Sequence, residues 1–109
     1  MPDPATDTPV LDRLTEMTVA SIEASDLDPQ SLMLARIAAL VAVDAPPISY
    51  VMNIGAASEV NVDADQVRGV LAAIAPIVGT ARIAAATGNI VEALGVAIEL
   101  AEIEAEAGD

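Results

Sequence analysis

Ser49 and Asn53 are two polar side chains that could bind a small molecule together. They stand four residues apart in an apolar stretch, and residues at that spacing share one face of a helix. A hydroxyl and an amide on that face could form a polar floor that orients a ligand. The alternative is local, because a helical Ser often bonds a preceding carbonyl and an Asn can satisfy a neighbouring group. The spacing leaves both interpretations open.

Two residues beside this pair could move a proton. Tyr50 is the single aromatic residue of the chain, and its hydroxyl could donate a proton or hold an oxyanion. A lone Tyr is more often a packing residue whose tip reaches water. Asp44 could serve as a general acid or base if it is buried. Its position just before a predicted helix favours a capping role instead.

Arg36 and Arg82 are the candidates for recognising an acidic ligand. Each lies among apolar neighbours in the sequence, and a buried guanidinium must be paired with an anion. A substrate carboxylate is one such anion, and Arg binds it in a bidentate manner. The excess of acids in the chain favours a structural ion pair, within one chain or across subunits.

Several classes of chemistry are excluded by residues that the chain lacks. There is no cysteine and no histidine, so thiolate nucleophiles, disulfides and the usual soft metal sites are excluded. The acids cluster near the termini and at predicted caps, and the six glycines are scattered rather than gathered in a phosphate-binding loop. We expect no metal and no cofactor.

The charge balance restricts the possible partners. The 17 acids face only four arginines and no lysine, and the net charge is −13. Nucleic acid requires a basic surface that is missing here, and anionic membranes would repel the chain. The N-terminus has no apolar run typical of a signal peptide. We expect a cytoplasmic protein, and the apolar content of 54% in 109 residues predicts a homo-oligomer that hides the surplus.

The pattern of apolar residues predicts an all-α, single-domain bundle of five to six helices. Apolar residues recur at helical spacing without strand-like alternation. Thr8-Pro9 and Asp28-Pro29 each combine a capping side chain with a proline suited to the first helical turn. The domain is expected over residues 9–106, after a disordered acidic segment at residues 1–8. The helices are expected at about residues 9–24, 29–43, 46–60, 63–78, 80–87 and 90–101.

Local signals place the junctions between the later helices. Asn61 is suited to a left-handed helix stop. Asp63 and Gln66 form a capping-box pattern for the fourth helix, in which Pro76 predicts a kink. Gly88-Asn89 predicts a break that separates a fifth from a sixth helix.

A series of landmarks runs over residues 27–86: Leu27-Asp28-Pro29, Ala57, Asn61, Asp63, Gln66-Val67 and Gly79-Thr80-Ala81. In order and spacing, these landmarks resemble the carboxymuconolactone decarboxylase family, which includes the alkylhydroperoxidase D-like proteins. In the register that these set, the family's two cysteines fall on Pro46 and Ser49. The family's histidine falls on Asn53, and its helical Glu falls on or near Met33.

The resemblance implies an alkylhydroperoxidase D-like fold, assembled as a trimer or hexamer, and it also implies lost chemistry. Without cysteine the chain cannot act as a thiol peroxidase, and Asn53 cannot move a proton as a histidine would. One hypothesis is a non-catalytic oligomeric binding or structural protein. The alternative is a cofactor-free, decarboxylase-like lyase or isomerase-like enzyme acting on a small organic acid or lactone. In that case Arg36 or Arg82 would hold the carboxylate, and Tyr50 or Asp44 would handle protons.

Overall fold

The computed structural model describes residues 8–107, which fold into five α-helices. The helices are α1 (Pro9–Ala24), α2 (Pro29–Ala42), α3 (Pro47–Glu59), α4 (Ala64–Val78) and α5 (Thr80–Ala107). No strand occurs between residues 8 and 107, which confirms the all-α prediction for that part of the chain. The acidic segment predicted to be disordered lies, except for its last residue, outside the described residues.

Side-chain caps begin two of the helices as predicted. The Asp28 carboxylate accepts the backbone N–H of Ser31 at 2.9 Å, and Asp63 with Gln66 forms a complete capping box. Each cap satisfies N–H groups that the first turn of a helix leaves without partners. Helix α1 also begins at the predicted residue, but the Thr8 hydroxyl donates to the Asp12 carboxylate at 3.2 Å instead of capping the backbone.

Two residues in the left-handed conformation end α2 and α3. Asn61 has a φ of 65°, as predicted, and the N–H of the following Val62 donates to the Ala57 carbonyl at 3.0 Å. Asp44 has a φ of 55°, and the N–H of Ala45 closes the same kind of bond at the end of α2. The prediction that Asp44 caps α3 is therefore wrong. Asp44 ends the preceding helix, because Asp tolerates the left-handed conformation.

Helix α5 is one continuous helix of 28 residues, so the predicted break at Gly88-Asn89 is wrong. Ala86 and Ala93, on either side of the predicted break, are 2% and 0% exposed. The Asn89 amide donates to the Ala45 carbonyl at 3.3 Å and does not cap a new helix. This packing and hydrogen bonding outweigh the cost of about 1 kcal/mol for a glycine inside a helix.

The core consists of two apolar clusters formed by α2, α3, α4 and α5. The first cluster lies where α2 and α3 meet α5, and its buried members are Val41, Ala45, Tyr50, Ala86 and Ala93. The second lies between α2 and α3 and is covered by α4, and its buried members are Met33, Ile37 and Ala57. Small alanines on α5 let this helix approach α3 closely, which suits a core with a single aromatic residue.

Helix α1 lies outside this core. None of its residues is buried, although one face carries large apolar side chains. The hydrogen bond between α1 and the four-helix core, among the described residues, joins Arg36 Nη2 to Ser21 Oγ at 3.4 Å. The structure therefore leaves an amphipathic helix with almost no cover.

One stretch of α5, Thr80–Leu100, is long and apolar enough to cross a membrane by length and composition alone. That criterion is weak for a single helix, since the core helices of soluble proteins also meet it. Most of this stretch is exposed in the single chain.

Candidate functional site

Ser49 and Asn53 lie one turn apart on α3, and both are half-buried. The Asn53 side-chain amide donates to the Ser49 backbone carbonyl at 2.8 Å. For Asn53, this is the local bond to a neighbouring group that the sequence left open as the alternative to a ligand floor. One of the two N–H donors of the amide is therefore engaged within its own helix.

Tyr50 is 1% exposed and belongs to the first core cluster. Its hydroxyl is buried and has no hydrogen-bond partner among the described residues. The expectation that the tip of this side chain reaches water is therefore wrong. Burial, and secondarily the negative charge of Asp44, raise the pKa of Tyr50 above its ordinary value. Asp44 is itself exposed, which does not favour a role as a buried acid or base.

Arg82 binds the end of α2. Its Nη1 donates to the Ala42 carbonyl at 2.7 Å, where the last turn of a helix has carbonyls without intrahelical partners and a partial negative charge. Arg36 is half-buried and contacts Ser21. Neither guanidinium forms an ion pair with a residue whose side chain the structure describes, so the expected structural pair is not found among those residues. A pair across subunits stays a prediction.

The junction between α2 and α3 brings together more of the predicted residues than any other place. Arg82 and Asn89 of α5 donate to carbonyls on either side of Asp44, and Tyr50 is buried beside Ala45 in the same cluster. These groups fasten the junction to α5. Asn89 is a residue that sequence reasoning assigned to a cap, because nothing local reveals a partner 44 positions away.

A second polar contact that the sequence did not reveal holds the other end of the bundle. The Gln30 amide donates to the carbonyls of Val60 and Asn61 at 3.0 and 3.2 Å, and Gln66 donates to the Gln30 side-chain oxygen at 3.4 Å. This contact links α2, the end of α3 and the start of α4. It is structural, since every group involved bonds another part of the chain.

The described residues form an open apolar groove of about 450 Å³. Helices α2, α3, α4 and α5 all contribute to it, and we call it the α2–α5 groove. Its main apolar residues are Ile37, Ile54, Val67, Leu71, Ile90 and Leu94. Ser49, Asn53, Tyr50 and both candidate arginines lie outside its lining.

The polar side chains at the α2–α5 groove are mostly engaged elsewhere. Thr87 donates its hydroxyl to the Ile83 carbonyl at 2.9 Å, Asp63 caps α4, and Arg68 is paired with Asp65. The groove therefore offers apolar surface and little hydrogen bonding to an occupant. A groove of this kind is better suited to binding an apolar partner surface than an acidic metabolite.

Among the residues whose side chains the structure describes, no three acidic groups lie close enough together to hold a metal ion. The candidate site residues have separate structural roles. Asn53 bonds within its own helix, Tyr50 is buried in the core, and Arg82 and Arg36 bond a carbonyl and a hydroxyl respectively.

Comparison of the chain with protein-family models, with curated proteins and with solved structures finds no match.

Proposed function

We propose that this chain is a non-catalytic, oligomeric binding or structural protein related to the carboxymuconolactone decarboxylase family. The observation that carries the proposal is that the predicted site residues form bonds and packing within the fold. The Asn53 amide is engaged by the Ser49 carbonyl, Arg82 caps α2, and the Tyr50 hydroxyl is enclosed in the core. These groups serve the fold, and they do not converge on a cavity.

Assembly is supported by the apolar surface that the single chain leaves uncovered. Large apolar side chains are exposed on α1, α3, α4 and α5, including Ile77 at 86% and Met52 at 77%. Scattered apolar side chains are normal on a protein surface, but contiguous ones mark interaction sites. On α1 and α5 the exposed residues follow one another along the helix, as an interface requires.

The charges of α5 favour protein as the partner of its apolar surface. Arg82, Glu92 and Glu99 all lie within the stretch that is long enough to cross a bilayer. A charge at the centre of a membrane helix costs about 2.5–3.5 kcal/mol on insertion scales, and Glu92 would stand near that centre. Between subunits, the same side chains can remain at the edge of the contact in water.

A decarboxylation assay tests the non-catalytic part of the proposal. The native protein is incubated with a small acidic lactone, and release of carbon dioxide is followed beside the matched variants Tyr50→Phe and Arg82→Gln. We expect no release above the buffer rate for any of the three proteins. Turnover by the native protein that either variant abolishes would overturn the proposal in favour of the lyase alternative.

A further inference from the structure

We propose that α1 is an exchanged arm, whose apolar face docks into the α2–α5 groove of a second copy of this chain. This inference rests on the proposed function, because it names the surfaces through which the oligomer assembles. Both surfaces are present in one chain, and neither is covered in the structure of the single chain.

Helix α1 has the pattern of a helix that fills a groove. Five of its six large apolar side chains lie within one face, at the i, i+3, i+4 and i+7 spacing of groove-binding helices; they are Val10, Leu11, Leu14, Met17 and Ile22, and Val19 lies outside that face. Its acids occupy the opposite face, at Asp12, Glu16 and Glu23. A helix of 16 residues is close to the length below which isolated helices are marginal in water, and most of the stability of such a helix comes from packing of its apolar face. Cover on that face would therefore stabilise α1.

The α2–α5 groove offers the complementary surface. It is open along one side, and Val91 and Leu94 at its α5 edge are 64% and 44% exposed. Its volume of about 450 Å³ falls within the usual range for sites that enclose several apolar groups. Since its polar side chains are mostly bonded elsewhere, an occupant loses few hydrogen bonds by being apolar.

The linker and the contact area favour a second copy as the occupant. Residues 25–28 connect α1 to α2, and a short hinge of this kind is where chains exchange elements. The 3.4 Å contact between Arg36 and Ser21 is a weak restraint on the arm. If five side chains on each side bury about 60 Å² apiece, reciprocal exchange buries on the order of 1,200 Å². Stable interfaces begin at about that size.

Disulfide trapping tests the exchange directly, because the natural chain has no cysteine. Two single variants, Met17→Cys on the apolar face of α1 and Val91→Cys at the groove, are mixed under denaturing conditions, refolded together and oxidised. We expect a disulfide-linked dimer that contains one chain of each variant. The matched control replaces Met17→Cys by Glu23→Cys, which lies on the opposite face of α1, and should give at least fivefold less of the mixed dimer.

The native mass of each mixture, measured before oxidation, separates the two proposals. An oligomer without selective trapping through Met17→Cys would overturn the arm exchange and leave the oligomeric function intact. A monomer in every mixture, and in the natural protein, would overturn both. In a second experiment, Leu14→Gln should shift the native mass downward, whereas Glu23→Gln introduces the same side chain on the opposite face of the same helix and should not lower the mass.

Discussion

At the scale of single residues, Asn53 and Asn89 carry the same amide but use it differently. Asn53 bonds a carbonyl one turn back on its own helix, so its contribution is local. Asn89 bonds the carbonyl of Ala45, a buried residue on the α2–α3 junction. Removal of a hydrogen bond costs most where a buried partner is left without water or a substitute.

The paired substitutions Asn53→Ala and Asn89→Ala test this difference. Both introduce the same residue into a helix, so the gain in helix propensity is similar in the two proteins. We expect Asn89→Ala to lower the free energy of unfolding by about 1 kcal/mol or more relative to Asn53→Ala. Urea titration of both variants measures it. An equal or larger loss for Asn53→Ala would show that Asn53 has a role beyond its helix.

Tyr50 gives a second prediction at this scale, through pH. Its raised pKa means that the folded protein keeps the phenol protonated at a pH where the unfolded chain releases the proton. Below about pH 10 both states hold the proton and stability is unaffected. Above it the unfolded chain binds fewer protons, so stability falls as pH rises. The chain has no lysine and no cysteine, which makes Tyr50 the main titrating side chain in this range.

The variant Tyr50→Phe should remove this alkaline loss. It also removes a buried hydroxyl that has no partner, so near neutral pH we expect the variant to be as stable as the natural protein, or more stable by about 1 kcal/mol. Urea titrations at about pH 8 and about pH 11 measure both effects. A large loss of stability at neutral pH would mean that the hydroxyl is hydrogen-bonded after all.

At the scale of the elements, the helix boundaries show what local sequence can predict. The capping box of Asp63 with Gln66 and the left-handed Asn61 were predicted correctly, because all the atoms involved lie within a few residues of each other. The break at Gly88 and the cap at Asp44 were predicted wrongly. Their outcome depends on contacts with distant segments, which a local pattern does not contain.

Because α5 is continuous, the substitution Gly88→Ala should stabilise the protein, whereas a break at Gly88 would make the same substitution destabilising. If Gly88 ended a helix in the left-handed conformation, Gly88→Ala would be strained and destabilising. In a continuous helix the new methyl group meets no atom within 4 Å and reduces the freedom of the unfolded chain. We expect a stabilisation of about 0.5–1 kcal/mol, measured by urea titration. A destabilised Gly88→Ala variant would contradict the continuous helix.

The candidate site was less predictable than the fold. The shared face of Ser49 and Asn53 follows from their spacing, and a local bond from Asn53 to a neighbouring group was part of one of the two interpretations left open. The groove was not foreseen, because it is formed by side chains from four helices that are far apart in sequence. Gln30 was missed for the same reason, since its partners lie about 30 residues away.

At the scale of the whole molecule, apolar surface and charge oppose each other. Each chain carries a net charge of −13, so like charges resist association, while uncovered apolar faces on α1 and α5 drive it. Added salt screens the repulsion and also strengthens apolar burial when the anion is sulfate. The subunits should therefore associate more tightly as ionic strength rises, so that the protein must be diluted further before the oligomer dissociates. Sedimentation at low and high salt measures the shift, and dissociation by salt would indicate that ion pairs hold the subunits.

The mass of the native protein tests the central claim, that this chain is one subunit of a larger assembly. Light scattering after size-exclusion chromatography gives that mass without a ligand, a substrate or a variant. At micromolar protein concentration and moderate salt, we expect a multiple of the 11.0 kDa chain mass, with a trimer or hexamer if the family resemblance extends to assembly. A single species of 11.0 kDa at every concentration tested would contradict the account.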